Sequence, residues 1–456
     1  ITKFKNEIAT ELQKIKEHIS RLKQEATSIK DHPQLSQEQK TEVQNILTQL
    51  DTLKNKNSFS QEDQQEIILL EQRINTLKNH VTPEELKKYL LIGSTGRFGN
   101  GAVFKCDLKN MRCEEFISIR NTTIPLINIG TSLLVTKNHI FVGAQDPVTS
   151  SLNKPVGVVL KCDLYGKNCS VLTAPQNAIY RFGEALVATQ DHLYIGAPGM
   201  KYSTNPESPK SPGSVFECSL DASQCQEKVQ FEIPSPTSKE YTEFGSSLFA
   251  NSEFLFIGIP GMRTVSNAER KGGLVKCHLS THECSSFLNP YNYNSSLILS
   301  ANDQFGAAIT EHQSSLFVGA PGKDRVIDCN HNFTDTGAVF KCETNGRRCS
   351  LFLGGTDSQS PTQKLNLQGG EYLGSSLVAD GNSIFIAAPG RWDLHGNKTG
   401  GVFKCDTFFD NEQPACKEIF GGQTNLPHTD ATSLLLNHLD AFGASLTIAH
   451  LPTRRN

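Results

Sequence analysis

Residues 182–225 read FGEALVA, HLYIGAPG, a polar loop, GSVFEC and, six residues on, a second cysteine, Cys225. These parts recur along the chain. Related openings stand at Ile129-Gly130, Phe244-Gly245, Phe305-Gly306, Leu373-Gly374 and Phe442-Gly443, and a Gly-Ala-Pro-like motif recurs around Gly93, Gly143, Gly196, Gly258, Gly319 and Ala387. A repeat of roughly 55 to 65 residues with four short apolar stretches is too small to bury its own faces, so neighbouring copies must stack. Four strands per repeat predict an all-β propeller. The first copy lacks an opening and starts at Tyr89-Leu90-Leu91-Ile92-Gly93, while the last is only an opening, Phe442 to His450. Those two fragments complete one blade, which gives six blades closed by the C-terminal strand and a ring without an open edge. A seventh blade fits only if the natural chain continues past Asn456. The repeated glycines read as packing positions where strands crowd the axis, not as ligand sites. Gly93-Ser-Thr-Gly96-Arg-Phe-Gly99 mimics a nucleotide loop, but no βαβ context follows it and it occupies the place of the Gly-Ala-Pro motif.

The cysteines follow the same repeat. Cys106 and Cys113, Cys162 and Cys169, Cys218 and Cys225, Cys277 and Cys284, and Cys342 and Cys349 are each seven positions apart, and Cys405 and Cys416 are eleven apart. In a hairpin with an even-numbered loop, opposite residues differ by an odd number, so both spacings put the two sulfurs on one face of adjacent strands. Asn345-Gly346, at the midpoint of its pair, is the dipeptide of a type I′ turn. Six pairs predict six disulfides and an oxidising compartment, each small loop contributing about 2–3 kcal/mol in the chain-entropy account. Cys277, His278, His282 and Cys284 look like a zinc cluster in isolation, yet the other blades keep the spacing without the histidines. Cys329 is left over, as an intermolecular bond, a reactive thiol or a buried free cysteine.

Taken together, the repeats over about residues 88 to 450, with GAVFKC or GGVFKC followed by a second cysteine, resemble the FG-GAP repeats of integrin α-chain β-propellers. The resemblance implies an extracellular propeller whose upper loops bind a protein ligand, and often a partner subunit. It also implies calcium between strands one and two. Here those links, such as Ala188 to His192, Ala250 to Glu253 and Asp380 to Ser383, are short and lack alternating Asp/Asn ligands, so no cofactor is expected. Asp328 to Asp335 does alternate oxygen ligands, but in a different loop that also holds the glycan acceptor Asn332.

Residues 1–86 differ in composition: rich in Lys, Glu, Gln and Leu, without Cys. Ile8, Leu12, Ile15, Ile19, Leu22, Ala26 and Ile29 form a seam that stops at Asp31-His32-Pro33. A second helix capped by Ser36 carries Val43, Ile46, Leu50 and Leu53, and a third, capped near Ser60, carries Ile67, Leu70, Ile74, Leu77 and Val81. Thr82-Pro83-Glu84-Glu85 opens a short helix into the propeller. The expected organisation is a helical bundle or coiled coil over 1–86, the propeller over 87–450 and a tail over 451–456. With 456 residues and a net charge of −3 the chain shows no bias toward nucleic acid. No apolar run is long enough to span a membrane. Starting at Ile1 without a signal-peptide pattern, the chain reads as a processed or trimmed product.

Length is spent on the loops after strands two and four, which share one face of the disc, and recognition belongs there. Asn121, Asn168, Asn294, Asn332 and Asn397 begin Asn-X-Ser/Thr triplets, all but Asn168 on that long-loop face. They leave the loops of blades two, three and four unshielded. A partner would therefore meet Asp146, Tyr180, Arg181, Lys201, Tyr202, Tyr241, Arg263 and Arg270, where Tyr and Arg supply area and directional hydrogen bonds. No serine-hydrolase elbow, His-Glu-X-X-His or Walker loop is present, so the protein reads as a non-enzyme. The sequence therefore predicts a secreted or surface-displayed adhesion or recognition glycoprotein. Its alternatives are a filament or coat subunit that homo-oligomerises through the helices, and an accessory part of a secreted hydrolase.

Overall fold

The computed structural model describes residues 2–30, 35–56, 58–80, 86–120, 125–146, 156–175, 181–199, 213–229, 242–263, 269–288, 297, 299–328, 331–354, 365–406, 415–421 and 436–452. It divides into two compact units, Ile1–Leu86 with Pro452–Asn456, and Lys87–Leu451.

The first unit is built from α1 (Thr2–Ile29), α2 (Gln37–Lys54) and α3 (Gln61–His80). The amide of Gln39 donates to the Ser36 hydroxyl while the Gln39 side chain accepts from the Ser36 amide, which closes the first turn of α2. Ser60 and Asp63 make the same reciprocal pair at α3. Ile19, Leu22 and Ala26 of α1 share one buried core with Val43, Ile46 and Leu50 of α2 and Ile67, Leu70 and Ile74 of α3. The three seams thus close on one another within the chain as a bundle. The short helix expected from Thr82 lies outside the described residues.

The second unit is a propeller of six four-stranded blades. Blade one takes its inner strand from the C-terminus, Phe442–Pro452, followed outward by Leu86–Ser94, Ala102–Asp107 and Arg112–Ser118. Blade two runs in sequence order through Leu133–Val135, Ile140–Asp146, Val156–Cys162 and Ser170–Thr173, and the remaining four blades repeat that order. In blade five a small hairpin, Arg325–Asp328 and His331–Phe333, is inserted between the second and third strands. The opening phenylalanine meets a third-strand phenylalanine edge-on in three blades: Phe442 with Phe104, Phe182 with Phe216 and Phe305 with Phe340, at 5.5, 5.5 and 5.6 Å.

All six cysteine pairs are disulfides, with Cα atoms 4.0–4.1 Å apart. Cys405 and Cys416 stand directly opposite each other just as Cys106 and Cys113 do, so the longer hairpin of blade six leaves the register unchanged. The would-be zinc histidines are occupied elsewhere: His278 lies 3.6 Å from Glu253, and His282 lies 2.8 Å from Glu217 of the preceding blade. The turn at Asn345-Gly346 is not type I′. Only Gly346 has a positive φ (74°), the Glu343 carbonyl accepts from its amide, and Asn345 Oδ1 accepts from the Arg347 amide. The Asn side chain caps a right-handed turn, and glycine alone supplies the left-handed step.

Packing at the axis explains the repeated glycines. A Cβ on Gly258 would stand 2.0 Å from the Gly306 carbonyl oxygen of the next blade and 2.1 Å from Ser247 Oγ. Gly93, Gly143, Gly196 and Gly319 face Gly130, Gly183, Gly245 and Gly374 in the same way, at 2.1, 2.2, 2.1 and 1.9 Å. Only between blades six and one does a methyl group, that of Ala387, take this place. Gly258→Ala should therefore destabilise the protein by about 1–3 kcal/mol. The loss at Ala387→Gly should be about 1 kcal/mol, the size of one buried methyl. Denaturant unfolding of the full chain measures both, and a Gly258→Ala variant as stable as the parent would overturn the close-contact account.

Candidate recognition surface

Because strands alternate in direction, the loops after strands two and four emerge on one face and the hairpins between strands three and four on the other. The propeller begins near Leu86 and ends near Pro452, both at the short-hairpin end of blade one. The opposite, long-loop face is thus the one from which neither end of the propeller departs.

Of the residues expected to bind, Asp146 ends the second strand of blade two. Arg263 and Arg270 face each other across an antiparallel bridge at the base of a blade-four loop. Arg181 is not out on a loop. It sits at the mouth of the axis, ion-paired with Glu184, whose carboxylate holds its guanidinium above the ordinary value despite burial. Tyr180, Lys201, Tyr202, Tyr241, Cys329, Asn121 and Asn294 lie outside the described residues. Asn168 and Asn397 sit in similar turns, their side-chain amides donating to Asp163 and Asp393 at 2.8 and 3.1 Å. Asn332 falls within the small blade-five hairpin.

Three buried ion pairs at the roots of the long loops escaped the sequence reading. Arg97 meets Asp440 at 2.7 Å, Lys323 meets Asp303 at 2.9 Å, and Arg391 meets Glu371 at 2.9 Å. In each, the cation lies four residues after the second-strand glycine or Ala387, and the acid three residues before the inner-strand glycine. Arg391 also binds Glu418 at 3.1 Å and donates to the carbonyls of Leu365 and Asn366. Burial pushes Asp303 up in spite of Lys323, and pushes Glu371, one of two carboxylates sharing a single guanidinium, up to about 7. In blade four the same two places hold Met262 and Thr242. Met262 is buried in the apolar cluster of Phe244 and Ile259, and the Thr242 carbonyl accepts from the Gly261 amide, so this loop root is held without an ion pair.

The inner strands line an axial cavity of about 310 Å³ that opens to solvent. Its hydroxyls are already engaged. Ser132, Ser247 and Ser445 donate to the carbonyls of Gly183, Gly306 and Gly130 on the next blade at 2.6–2.7 Å, and Ser376 accepts from the Leu446 amide. The cavity wall is a seam between blades. Among the described residues no cluster of three or more His, Cys, Asp or Glu is arranged to hold a metal, and no helix is long and apolar enough to cross a membrane.

Replacing Asp303 by Thr alone should cost about 3 kcal/mol, because Lys323 is left buried and unpaired, whereas Asp303→Thr with Lys323→Met should recover most of that loss. A double variant no more stable than the single one would overturn this expectation. Glu371 binds its proton more tightly folded than unfolded, so that contribution is full below its ordinary value of 4.5 and is lost as pH rises through about 7. The parent should therefore lose stability relative to Glu371→Gln across this window, by about 1–3 kcal/mol in denaturant midpoints taken at each pH. No family model matches the chain, and neither does any curated protein.

Proposed function

We infer that this is an extracellular adhesion or recognition protein, an integrin α-like FG-GAP propeller that binds a protein ligand or partner subunit through its long-loop face. The observation that carries the reading is the asymmetry of the disc. One face consists of short hairpins braced by six disulfides, and the other presents long loops whose roots are pinned by buried ion pairs. A rigid scaffold carrying variable loops is the arrangement recognition requires. The disulfides support a secreted or surface location, the Asn-X-Ser/Thr acceptors agree with it, and the role is binding without catalysis. The 1–86 helices and the 87–450 propeller act as separate domains, the helices linking the propeller to a larger assembly or clustering several copies for avidity.

A second reading, a filament or coat subunit, draws on Ile68 and Leu69 of α3, which are 55% and 54% exposed. Cross-linking the full chain to the surface of cells from its source separates the two. Partner peptides should join lysines of the long-loop face, such as Lys271 and Lys398. Links confined to a second copy of the chain through residues 1–86 would overturn the recognition reading in favour of the filament.

A further inference from the structure

Among the described residues, the large apolar side chains exposed on the long-loop face are Phe98, Ile119, Tyr372, Leu394 and Leu439, with exposures of 50, 37, 37, 63 and 62%. All belong to loops of blades six and one, away from the three blades that the glycan argument favoured. They are also linked. Gly96 donates to the Asp440 carbonyl, Arg97 beside it pairs with Asp440, and the Leu439 amide donates to the Lys398 carbonyl at 2.7 Å. Lys398 in turn lies 4.9 Å over the Trp392 ring and 5.9 Å over that of Tyr372.

Phe98 is the centre of this patch. Its φ of 50° puts a bulky aromatic residue in the left-handed region, a conformation that persists only where the surroundings enforce it. Its half-exposed ring lies against the guanidinium groups of Arg97 and Arg120, each 4.2 Å from the centroid. Arg97 is neutralised by Asp440. Arg120 and Lys398 have no carboxylate within ion-pairing distance among the described residues. The acids of the patch are committed: Asp440 to Arg97, Glu371 and Glu418 to Arg391, and Asp393 to the turn amides of His395 and Asn397. Glu115 lies 3.9 Å from Arg97, and Asp335 is pushed toward its neutral form by burial and by Asp324, against the pull of Lys398.

We propose that the seam of blades six and one is the docking surface of the long-loop face, and that its occupant is a partner segment combining carboxylates with aliphatic or aromatic side chains. The proposal rests on the recognition reading given above and names its site. The exposed side chains of Phe98, Leu439 and Leu394 supply the desolvated contact; Arg120 supplies a cation without a carboxylate partner among the described residues, and Lys398, whose ammonium donates to the Gly370 carbonyl at 3.2 Å, supplies a second.

The test uses the full chain and three fluorescein-labelled twelve-residue peptides: one of alternating Asp/Glu and Leu/Phe, one with Lys/Arg in place of the acids, and one with Ser in place of the apolar residues. The acidic apolar peptide should bind, more weakly as salt rises. Phe98→Ala, Arg120→Glu and Leu394→Asp should each weaken it by about tenfold or more. Arg120 and Leu394 are exposed, so those two variants should unfold at the parent's temperature, and they keep the test valid if Phe98→Ala fails to fold. Lys109→Glu, on the short-hairpin face, should leave binding unchanged. Equal binding of all three peptides, or none by the acidic apolar one, would overturn the proposal. Binding lost on Arg263→Glu but retained on Arg120→Glu would move the site to blade four and leave the recognition reading standing. Loss on Lys109→Glu alone would overturn both. Binding that appears only after enzymatic removal of N-linked glycans would give the patch to a glycan on Asn397 and overturn the proposal.

Discussion

The molecule depends on one contact, the approach of a second-strand glycine to the inner-strand glycine carbonyl of the next blade. At five of the six joints a Cβ would stand only 1.9–2.2 Å from that oxygen. No side chain can enter, so the blades reach the separation at which Ser132, Ser247 and Ser445 bond to neighbouring carbonyls. Close backbone approach and hydroxyl bridging are two halves of one joint. The joint is repeated by sequence rather than by symmetry, which is why Ala185 and Ala308 can replace the serine in alternate blades while the glycines opposite them stay glycine.

That joint fixes the inner strands, and the outer parts of each blade are fixed by other means. Disulfides tie the third and fourth strands at the short-hairpin end, where a loop of a few residues has little core of its own to hold it. At the other end the chain must change blade and cannot be stapled in the same way. There the loop roots are held by a buried cation and acid in blades five, six and one, or in blade four by Met262 packed on Phe244 and by the Thr242 carbonyl bonded to the Gly261 amide. The cost of burying those charges is set against geometry, since Arg391 also collects the carbonyls of Leu365 and Asn366 from a loop that has no strand to pair with. Rigidity therefore extends up to the base of the long loops.

Blade number, ring closure through Phe442–Pro452 and the six disulfides were legible because each is written as a period: apolar runs, Gly-Ala-Pro motifs and an odd cysteine spacing. The helix limits were legible from Ser36, Ser60 and Pro33, whose local chemistry acts within one turn. Three things were not. The turn at Asn345-Gly346 depends on which of two backbone paths the Asn carbonyl caps, and the dipeptide is common to both. The ion pairs join columns of the repeat about twenty residues apart or, for Arg97 and Asp440, at opposite ends of the chain. The signal was present as a basic residue at Arg97, Lys323 and Arg391, and becomes visible only when the copies are compared column by column. The exposed cluster around Phe98 had no signal, because exposure is decided by which loops fold inward.

The residue two positions before each inner-strand glycine shows how one backbone can carry six different chemistries. Asn128, Arg181, Glu243, Gln304, Tyr372 and Ala441 all have φ between 51° and 60°. Left-handed geometry costs an L-residue about 1 kcal/mol or more, and glycine would relieve it. The turn that delivers the chain to the axis demands the conformation in every blade, yet none of the six is glycine. A position whose backbone is dictated and whose side chain is not becomes a place to write local function. Arg181 uses it to reach Glu184, Asn128 to bond Gln145 at 2.8 Å, and Tyr372 to present a ring beside Lys398. Phe98 repeats the device one loop away, in the same left-handed region, and turns the strain of the rim into an exposed aromatic face.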